Sequence, residues 1–308
     1  MKAPRVTLDQ WRTLQAVVDQ GGFAQAAEAL HRSQSSVSYT VARMQDQLGV
    51  PLLRIDGRKA VLTEAGEVLL RRSRQLVKNA SQLEDLAHHM EQGWEAEVRL
   101  VVDAAYPSAR LVRALTAFMP QSRGCRVRLR EEVLSGVEEV LLEGVADLAI
   151  SGFNIPGYLG TELSSVEFVA VAHPEHALHQ MHRELTFQDL ESQLQVVIRD
   201  SGRNQPRDVG WLGSEQRWTV GSLATAATFV GSGLGFAWLP RHRVERELKE
   251  GVLKMLPLDK GGSRNPTFYL YASKDKPLGP ATQILIDLIQ RFDTAPLDAP
   301  LAAASHKV

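Results

Sequence analysis

Apolar and polar positions alternate with helical spacing over residues 33–48, where Val37, Val41, Met44 and Leu48 fall on one stripe. Ser33 is placed to cap this helix by accepting a first-turn amide. The opposite face carries Gln34, Ser35, Ser36, Ser38, Tyr39, Thr40 and Arg43, with no carboxylate among them. Upstream, Leu8, Trp11, Leu14 and Val18 mark the buried face of a first helix that Gly21-Gly22 ends. Phe23, Ala26, Ala27 and Leu30 mark a short second helix, and only His31 and Arg32 separate it from Ser33. Short helices with so tight a junction predict a helix-turn-helix. Asp56-Gly57 then predicts a hairpin between two short extended runs, with Arg54, Arg58 and Lys59 on or beside its turn.

From Thr63, a cap candidate, to about residue 92 a long helix is predicted. Leu62, Leu69, Leu76, Leu83 and Met90 recur every seven residues, beside a small column of Gly66, Ser73, Ala80 and Ala87. Such a heptad is a seam either for a second helix or for the helix's own domain. Dimerisation through Leu69, Leu76, Ala80, Leu83 and Ala87 is the expectation. Past Gly93 the pattern changes to βα alternation: strands at 98–103, 125–130, 147–151 and 168–172, with helices at 106–118 and 136–143 between them. It resumes at 196–199, 223–230, 235–239 and 268–272, and a helix at 281–292 closes it. The divisions expected are 1–62, 63–92, 93–293 and a loose Ala- and Pro-rich tail at 294–308.

Composition narrows the class. With 44% hydrophobic and 23% charged residues, 308 in all, the chain reads as an ordinary globular protein of about two domains. Net charge is −1, but residues 1–80 carry +5 and the remainder −6, the asymmetry of a nucleic-acid module attached to something else. The lone Cys125 excludes a disulfide framework and a cysteine-based zinc site, and reads as a small buried hydrophobe. Neither an apolar leader nor a membrane-length run is visible, so a cytoplasmic location without membrane contact is expected.

Chemistry is assigned from these placements. The face from Ser33 to Arg43 can meet phosphates and base edges, or simply water. Arg43, Arg54, Arg58 and Lys59 are candidates to neutralise phosphates, and the hairpin is then a wing. In the α/β part, ligands bind at the carboxyl ends of strands and at helix N-termini. Those places hold Ala104, Ala105, Tyr106, Ser108, Ser135, Gly152, Asn154, Arg199, Ser201 and Ser222, expected to converge on one small-molecule pocket. Arg199 is the fixed cation of the set, able to pair a ligand carboxylate or to bridge Asp200. The glycine-rich run 231–236 has the wrong spacing for a dinucleotide fingerprint, and His173, His176, His179 and His182 read as polar surface. No catalytic constellation, metal site or cofactor is predicted; the alternative, an α/β enzyme with a helical appendage, would need one.

The residues also spell a family. G-x-F-x-x-A-A-x-x-L-H-x-S-Q-S-S-V-S over 21–38, L-G-V-P-L-L over 48–53 and R-K-A-V-L-T-E-A-G over 58–66 resemble the LysR-type transcriptional regulators. Gly22, Ser35 and Leu53 depart from the residues common there (serine, proline and phenylalanine), without removing a DNA-facing charge. The resemblance implies an N-terminal all-α winged helix-turn-helix, a linker helix that pairs protomers antiparallel, and a periplasmic-binding-protein-like α/β effector domain. That domain is expected as two Rossmann-like subdomains, about 93–165 with 266–293, and 166–265. D-L-A-I-S, A-H-P-E-H-A-L and G-x-G-F-A-W-L-P at 147–151, 172–178 and 233–240 sit where that family would place them. Implied partners are double-stranded promoter DNA with palindromic half-sites, a small organic effector, further copies up to a homotetramer, and RNA polymerase as a candidate.

Overall fold

Two compact units, residues 1–91 and 92–308, make up the computed structural model, which describes residues 3–56, 59–275 and 277–294. In the first unit, α1 (Leu8–Asp19) opens with a capping box between Thr7 and Gln10. Helices α2 (Phe23–Ala29) and α3 (Gln34–Leu48) follow, then the antiparallel strands β1 (Leu53–Asp56) and β2 (Lys59–Leu62). The 28-residue α4 (Glu64–Glu91) ends the unit, and Thr63 caps it by accepting from Gly66 N at 3.0 Å.

The small core joins Leu14, Val17, Ala26, Ala27, Val37, Val41, Met44, Leu52 and Leu70. Val17 rather than Val18 points most deeply inward, and Leu8 is exposed, because the helix face turns slightly from the predicted stripe. Gly22 indeed supplies no side-chain cap to α2. The long helix divides its heptad: Leu62 and Leu69 pack on this core, and Gly66 and Ser73 are buried beside α1. Leu76, Leu83 and Met90 remain exposed. Leu69 is therefore a residue of its own unit's core, a correction to its assignment to the dimer seam. The C-terminal tail beyond 294 and Arg58 lie outside the described residues, as does the side chain of Lys59.

The second unit contains two sheets. Its elements run β3 (Glu97–Asp103), α5 (Ser108–Phe118), β4 (Arg126–Glu132), α6 (Ser135–Leu142), β5 (Leu148–Ser151) and β6 (Thr161–Ser165). Next come β7 (Phe168–Ala172), α7 (Ala177–Gln180), α8 (Phe187–Glu191), β8 (Gln195–Ile198), β9 (Arg217–Val220), α9 (Leu223–Gly231) and β10 (Phe236–Pro240). The chain closes with α10 (Glu245–Lys249), β11 (Lys254–Met255), β12 (Ser263–Arg264), β13 (Thr267–Ala272) and α11 (Pro280–Asp293). The first sheet has the order β4-β3-β5-β13-β6, and the second β11-β7-β10-β8-β9 with β12 also on β7. Chain crossings between the sheets fall at β6 to β7 and at β12 to β13.

Both faces of each sheet are covered, so alternate residues of one strand enter different cores. Val98, Leu100 and Val102 of β3 meet α5 and α11, whereas Val101 meets Val137 and Leu141 of α6. In the second sheet Val169 and Val171 face α9, while Ala170 and Ala172 face Leu178 and Leu190 of α7 and α8. Cys125 is buried just before β4, and burial pushes its thiol up to about 11, the behaviour of an inert packing residue. The glycine-rich run 231–236 is a packing turn: Gly235 has φ +76, and a Cβ there would lie 2.1 Å from the Leu194 carbonyl oxygen.

Candidate DNA-reading face and effector cavity

Helix α3 presents the predicted polar face. Gln34, Ser35, Ser36, Tyr39 and Arg43 are exposed, and Ser38 and Thr40 half-exposed. Three of the hydroxyls have local employment, and Ser33 Oγ and Ser35 Oγ lie 3.1 Å apart in a hydrogen bond. Ser33 Oγ accepts from Ser36 N at 3.2 Å, and Thr40 Oγ1 donates to the Ser36 carbonyl at 2.8 Å. Ser33 is thus the helix cap, and Thr40 has only its acceptor side to offer. Ties missed by sequence reading fix this helix. Gln45 Oε1 accepts both Leu52 N (2.7 Å) and Leu53 N (3.0 Å), joining α3 to the strand that carries exposed Arg54. Arg32 forms two 2.9 Å bonds to Asp9, holding the helix-turn-helix junction against the start of α1.

In the second unit a cavity of about 280 Å³ opens between the carboxyl ends of strands from both sheets. Ala104, Ala105 and Gly152 line it as predicted. The other seven predicted residues do not. Tyr106 is buried in the core, with its hydroxyl donating to Asp293 at 2.8 Å. Ser108 and Asn154 are exposed off the cavity, and Ser222 caps α9 by accepting from Thr225 N at 3.1 Å. Ser135 and Ser201 join the two lobes. Ser135 Oγ donates to Asp200 Oδ2 at 2.7 Å, and Ser201 Oγ accepts from Val133 N at 2.8 Å. Glu139, accepting from Arg203 N and Asn204 N, extends this latch. Arg199 is exposed and faces a separate polar depression with Asp200, Arg207 and Arg217.

The cavity's cation is instead Arg264, whose guanidinium lies 4.4 Å over the Phe168 ring. Its sequence signal was weak, an arginine in a two-residue strand beside Pro266. The cavity's acid is Asp103, at the C-terminal end of β3, accepting from Ala105 N at 2.9 Å and Leu134 N at 3.3 Å. Burial pushes its carboxyl up to about 6. Leu134 sits at the first central position of a turn closed by Gly136 N to the Val133 carbonyl, with φ 52 and ψ −116. Glycine suits that conformation; a leucine there holds strain of ~1–3 kcal/mol. Strain of this kind clusters at ligand sites. Among the described residues no group of three His, Cys, Asp or Glu could hold a metal ion.

Asp103 makes a testable contribution to stability. Its folded pKa lies above the ordinary 3.8, so the native state holds the extra proton between about pH 4 and 6. Stability from this group is present at low pH and declines as pH rises through 6, by up to ~3 kcal/mol. Half-buried His242 acts oppositely: burial, then Arg243 and Arg110, depress it to about 4, so stability falls as pH drops below its ordinary 6.5. The two slopes offset one another in the wild type. Asp103→Asn, compared with wild type by urea unfolding from pH 4 to 7, should therefore gain relative stability as pH rises. A pH-independent difference would show that folding leaves the Asp103 carboxyl's pKa unshifted.

A helix-turn-helix followed by a hairpin, on a chain that also carries a two-lobed α/β unit with an aromatic-lined cavity, defines a DNA-binding regulator with a ligand-binding module. The family models agree over nearly the whole chain. Residues 8–67 match the bacterial regulatory helix-turn-helix protein, lysR family, and residues 91–293 match the LysR substrate binding domain. This chain belongs to the LysR-type transcriptional regulators, a family of regulators and not of enzymes. It is 28% identical over 260 residues to the probable HTH-type transcriptional regulator YhaJ of Escherichia coli, covering 83% of this chain and 87% of that one. A probable RuBisCO transcriptional regulator of Synechocystis is 30% identical over 272 residues, 82% of this chain and 76% of that one. In fold it is similar to full-length LysG from Corynebacterium glutamicum with bound effector Arg (23% identity, TM-score 0.51, covering 94% and 98%). It is likewise similar to AphB, a virulence activator of Vibrio cholerae (16% identity, TM-score 0.51, covering 93% and 99%). Among the described residues no helix is long and apolar enough to cross a membrane.

Proposed function

We propose that this regulator reads palindromic promoter half-sites as an oligomer, and that a small molecule held in the aromatic cavity between the two lobes changes its grip on DNA. The observation that carries the DNA reading is the exposed face of α3 from Gln34 to Arg43, which holds no carboxylate and on which Gln34, Tyr39 and Arg43 are exposed. Gln34, Ser35, Ser36, Ser38 and Tyr39 are the base and phosphate readers, and Arg43 and Arg54, with Arg58 and Lys59, the phosphate neutralisers. The exposed Leu76, Leu83 and Met90, with half-exposed Ala80 and exposed Ala87, give α4 an apolar stripe suited to a second copy. Two-fold pairing there would present two readers to a palindrome. A dimer of such dimers, and a contact with RNA polymerase, complete the proposal. Ligand binding would act by favouring one arrangement of the lobes over another, which requires different affinities for the two.

Footprinting of the DNA upstream of the regulator's own gene, then fluorescence anisotropy on the protected segment and its half-site variants, tests the assignment of readers and neutralisers. Gln34→Ala should lose ~1–3 kcal/mol of discrimination at the bases it faces while binding to random DNA is unchanged. Arg54→Ala should weaken binding to every sequence alike and reduce the salt slope by about 0.9. Identical behaviour of the two variants would overturn the distinction. Failure of the wild type to protect any DNA at low salt would remove the proposal itself.

A further inference from the structure

Six of the 23 residues lining the cavity are aromatic, against 6% of the chain, so its walls are built for a ring. Phe187 and Trp211 stack with centroids 5.4 Å apart, and Trp238 continues the wall 6.0 Å from Trp211. Phe268 stands on the other lobe's side of the same space, and Phe168, at the start of β7, packs against that lobe's core. At about 280 Å³ the cavity lies at the small end of ligand pockets. One or two rings fill it.

Two polar groups inside it are incomplete. Arg264 is half-buried, its Nε is buried without a hydrogen-bond partner, and among the described residues it forms no ion pair. Asp103 attracts it, but both Asp103 oxygens already accept backbone amides. Gln195 is 2% exposed, and its Nε2 donates to the Trp211 carbonyl at 2.8 Å. That bond fixes the amide's orientation and leaves Oε1 buried with no donor facing it. A buried guanidinium N–H without an acceptor and a buried acceptor without a donor are each costly, and both are relieved by a ligand carrying the complementary groups.

We infer that the cavity takes a flat aromatic monoanion of one or two rings, its carboxylate on Arg264 and a ring N–H or O–H directed to Gln195 Oε1. The inference rests on the reading of the cavity as the effector site. A dianion would lack a second cation among the lining residues, and an alkyl acid would leave the aromatic walls without a stacking partner. A ligand cation would meet Asp103 only beside the Arg264 guanidinium, which shares that carboxylate's field and repels it.

Calorimetry on the full chain would compare indole-3-carboxylate and 4-hydroxybenzoate with benzoate, indole, phenol, cyclohexanecarboxylate and benzylamine. At least one of the two aromatic acids should bind about tenfold or more tighter than its uncharged counterpart and than cyclohexanecarboxylate. Arg264→Gln should erase the preference for the acid over the uncharged ring, and Gln195→Leu the preference for 4-hydroxybenzoate over benzoate. The wild-type comparison needs no variant, so a variant that fails to fold leaves the test intact. Equal binding of cyclohexanecarboxylate, a preference for benzylamine, or no binding by any probe overturns the inference, as does an unchanged acid preference in folded Arg264→Gln. Footprinting with the same probes separates the two readings. If an aliphatic or cationic probe binds and alters DNA protection, the effector reading stands and the ligand class falls. If the aromatic acid binds as described without altering protection, the ligand class stands and the effector reading falls.

Discussion

Replacing Asp293 with alanine is expected to destabilise the α/β unit by about 3–5 kcal/mol, the usual result of removing one partner from a buried charge network. Asp293, 1% exposed at the end of α11, accepts from Tyr106 Oη at 2.8 Å, Ser164 N at 2.5 Å, Ser164 Oγ at 2.9 Å and Arg110 Nη1 at 3.3 Å. One carboxylate therefore ties together α11, α5, β6 and the loop after β3. Burial, with the neighbouring Asp293 charge, raises the Tyr106 pKa, so this phenol remains a donor at every ordinary pH. Alanine would leave the Arg110 guanidinium, whose Nε already lacks a partner, without its anion. Tyr106→Phe removes only one donor and should cost about 1 kcal/mol. Urea unfolding followed by tryptophan fluorescence reports this unit, since Trp94, Trp211, Trp218 and Trp238 all lie in it. A loss in Asp293→Ala no larger than that in Tyr106→Phe would show that the network carries little of the unit's stability.

Gly66→Ala should lower the stability of the first unit by about 3 kcal/mol and weaken DNA binding with it. Helix propensity alone argues for the opposite sign, because alanine is favoured over glycine in a helix interior by about 1 kcal/mol. Contact decides. A Cβ at Gly66 would lie 2.0 Å from the Leu52 carbonyl oxygen and 3.0 Å from Leu62 Cδ2. The Leu52 carbonyl cannot retreat freely, since it accepts from Thr63 N at 3.0 Å, and Leu52 N is held by Gln45. Moving it would shift the hairpin away from α3 and separate the wing from the reader. Thermal unfolding by circular dichroism, with DNA affinity by anisotropy, gives both readouts. Unchanged melting with normal affinity would mean that the hairpin absorbs a methyl group without cost.

Local pattern made the first unit legible almost residue by residue. The stripe Val37, Val41, Met44 becomes the buried side of α3, and Asp56 ends β1 paired with Lys59 of the antiparallel β2. The small column was visible too, but its meaning was not. Gly66 and Ser73 serve packing within the unit, whereas Leu76 and Leu83 farther along the same heptad are exposed. A heptad states which residues share a helix face. It does not state where the supporting domain stops.

The α/β unit divides in the same way. Runs such as Val98–Asp103 and Phe168–Ala172 announced β3 and β7 because strands covered on both faces must be continuously apolar, and the strand ends located the cavity's neighbourhood. Short polar strands such as Thr161–Ser165 and Arg217–Val220 left no such signal. Nor could strand ends say which side chains line the space. Ala104, Ala105 and Gly152 do so through backbone position, while Tyr106, Ser135 and Ser201 found partners in Asp293, Asp200 and Val133. The rings of Phe187, Trp211 and Trp238 and the charge of Arg264 arrive from segments far apart in sequence. Periodicity and capping are properties of neighbours along the chain, so the sequence by itself determined most of the elements, the family and the polar face of α3. Which buried donor meets which acceptor depends on chain crossings between two sheets, and only the tertiary structure decided that Arg264 and Gln195, rather than Arg199 and Ser201, are left facing the cavity.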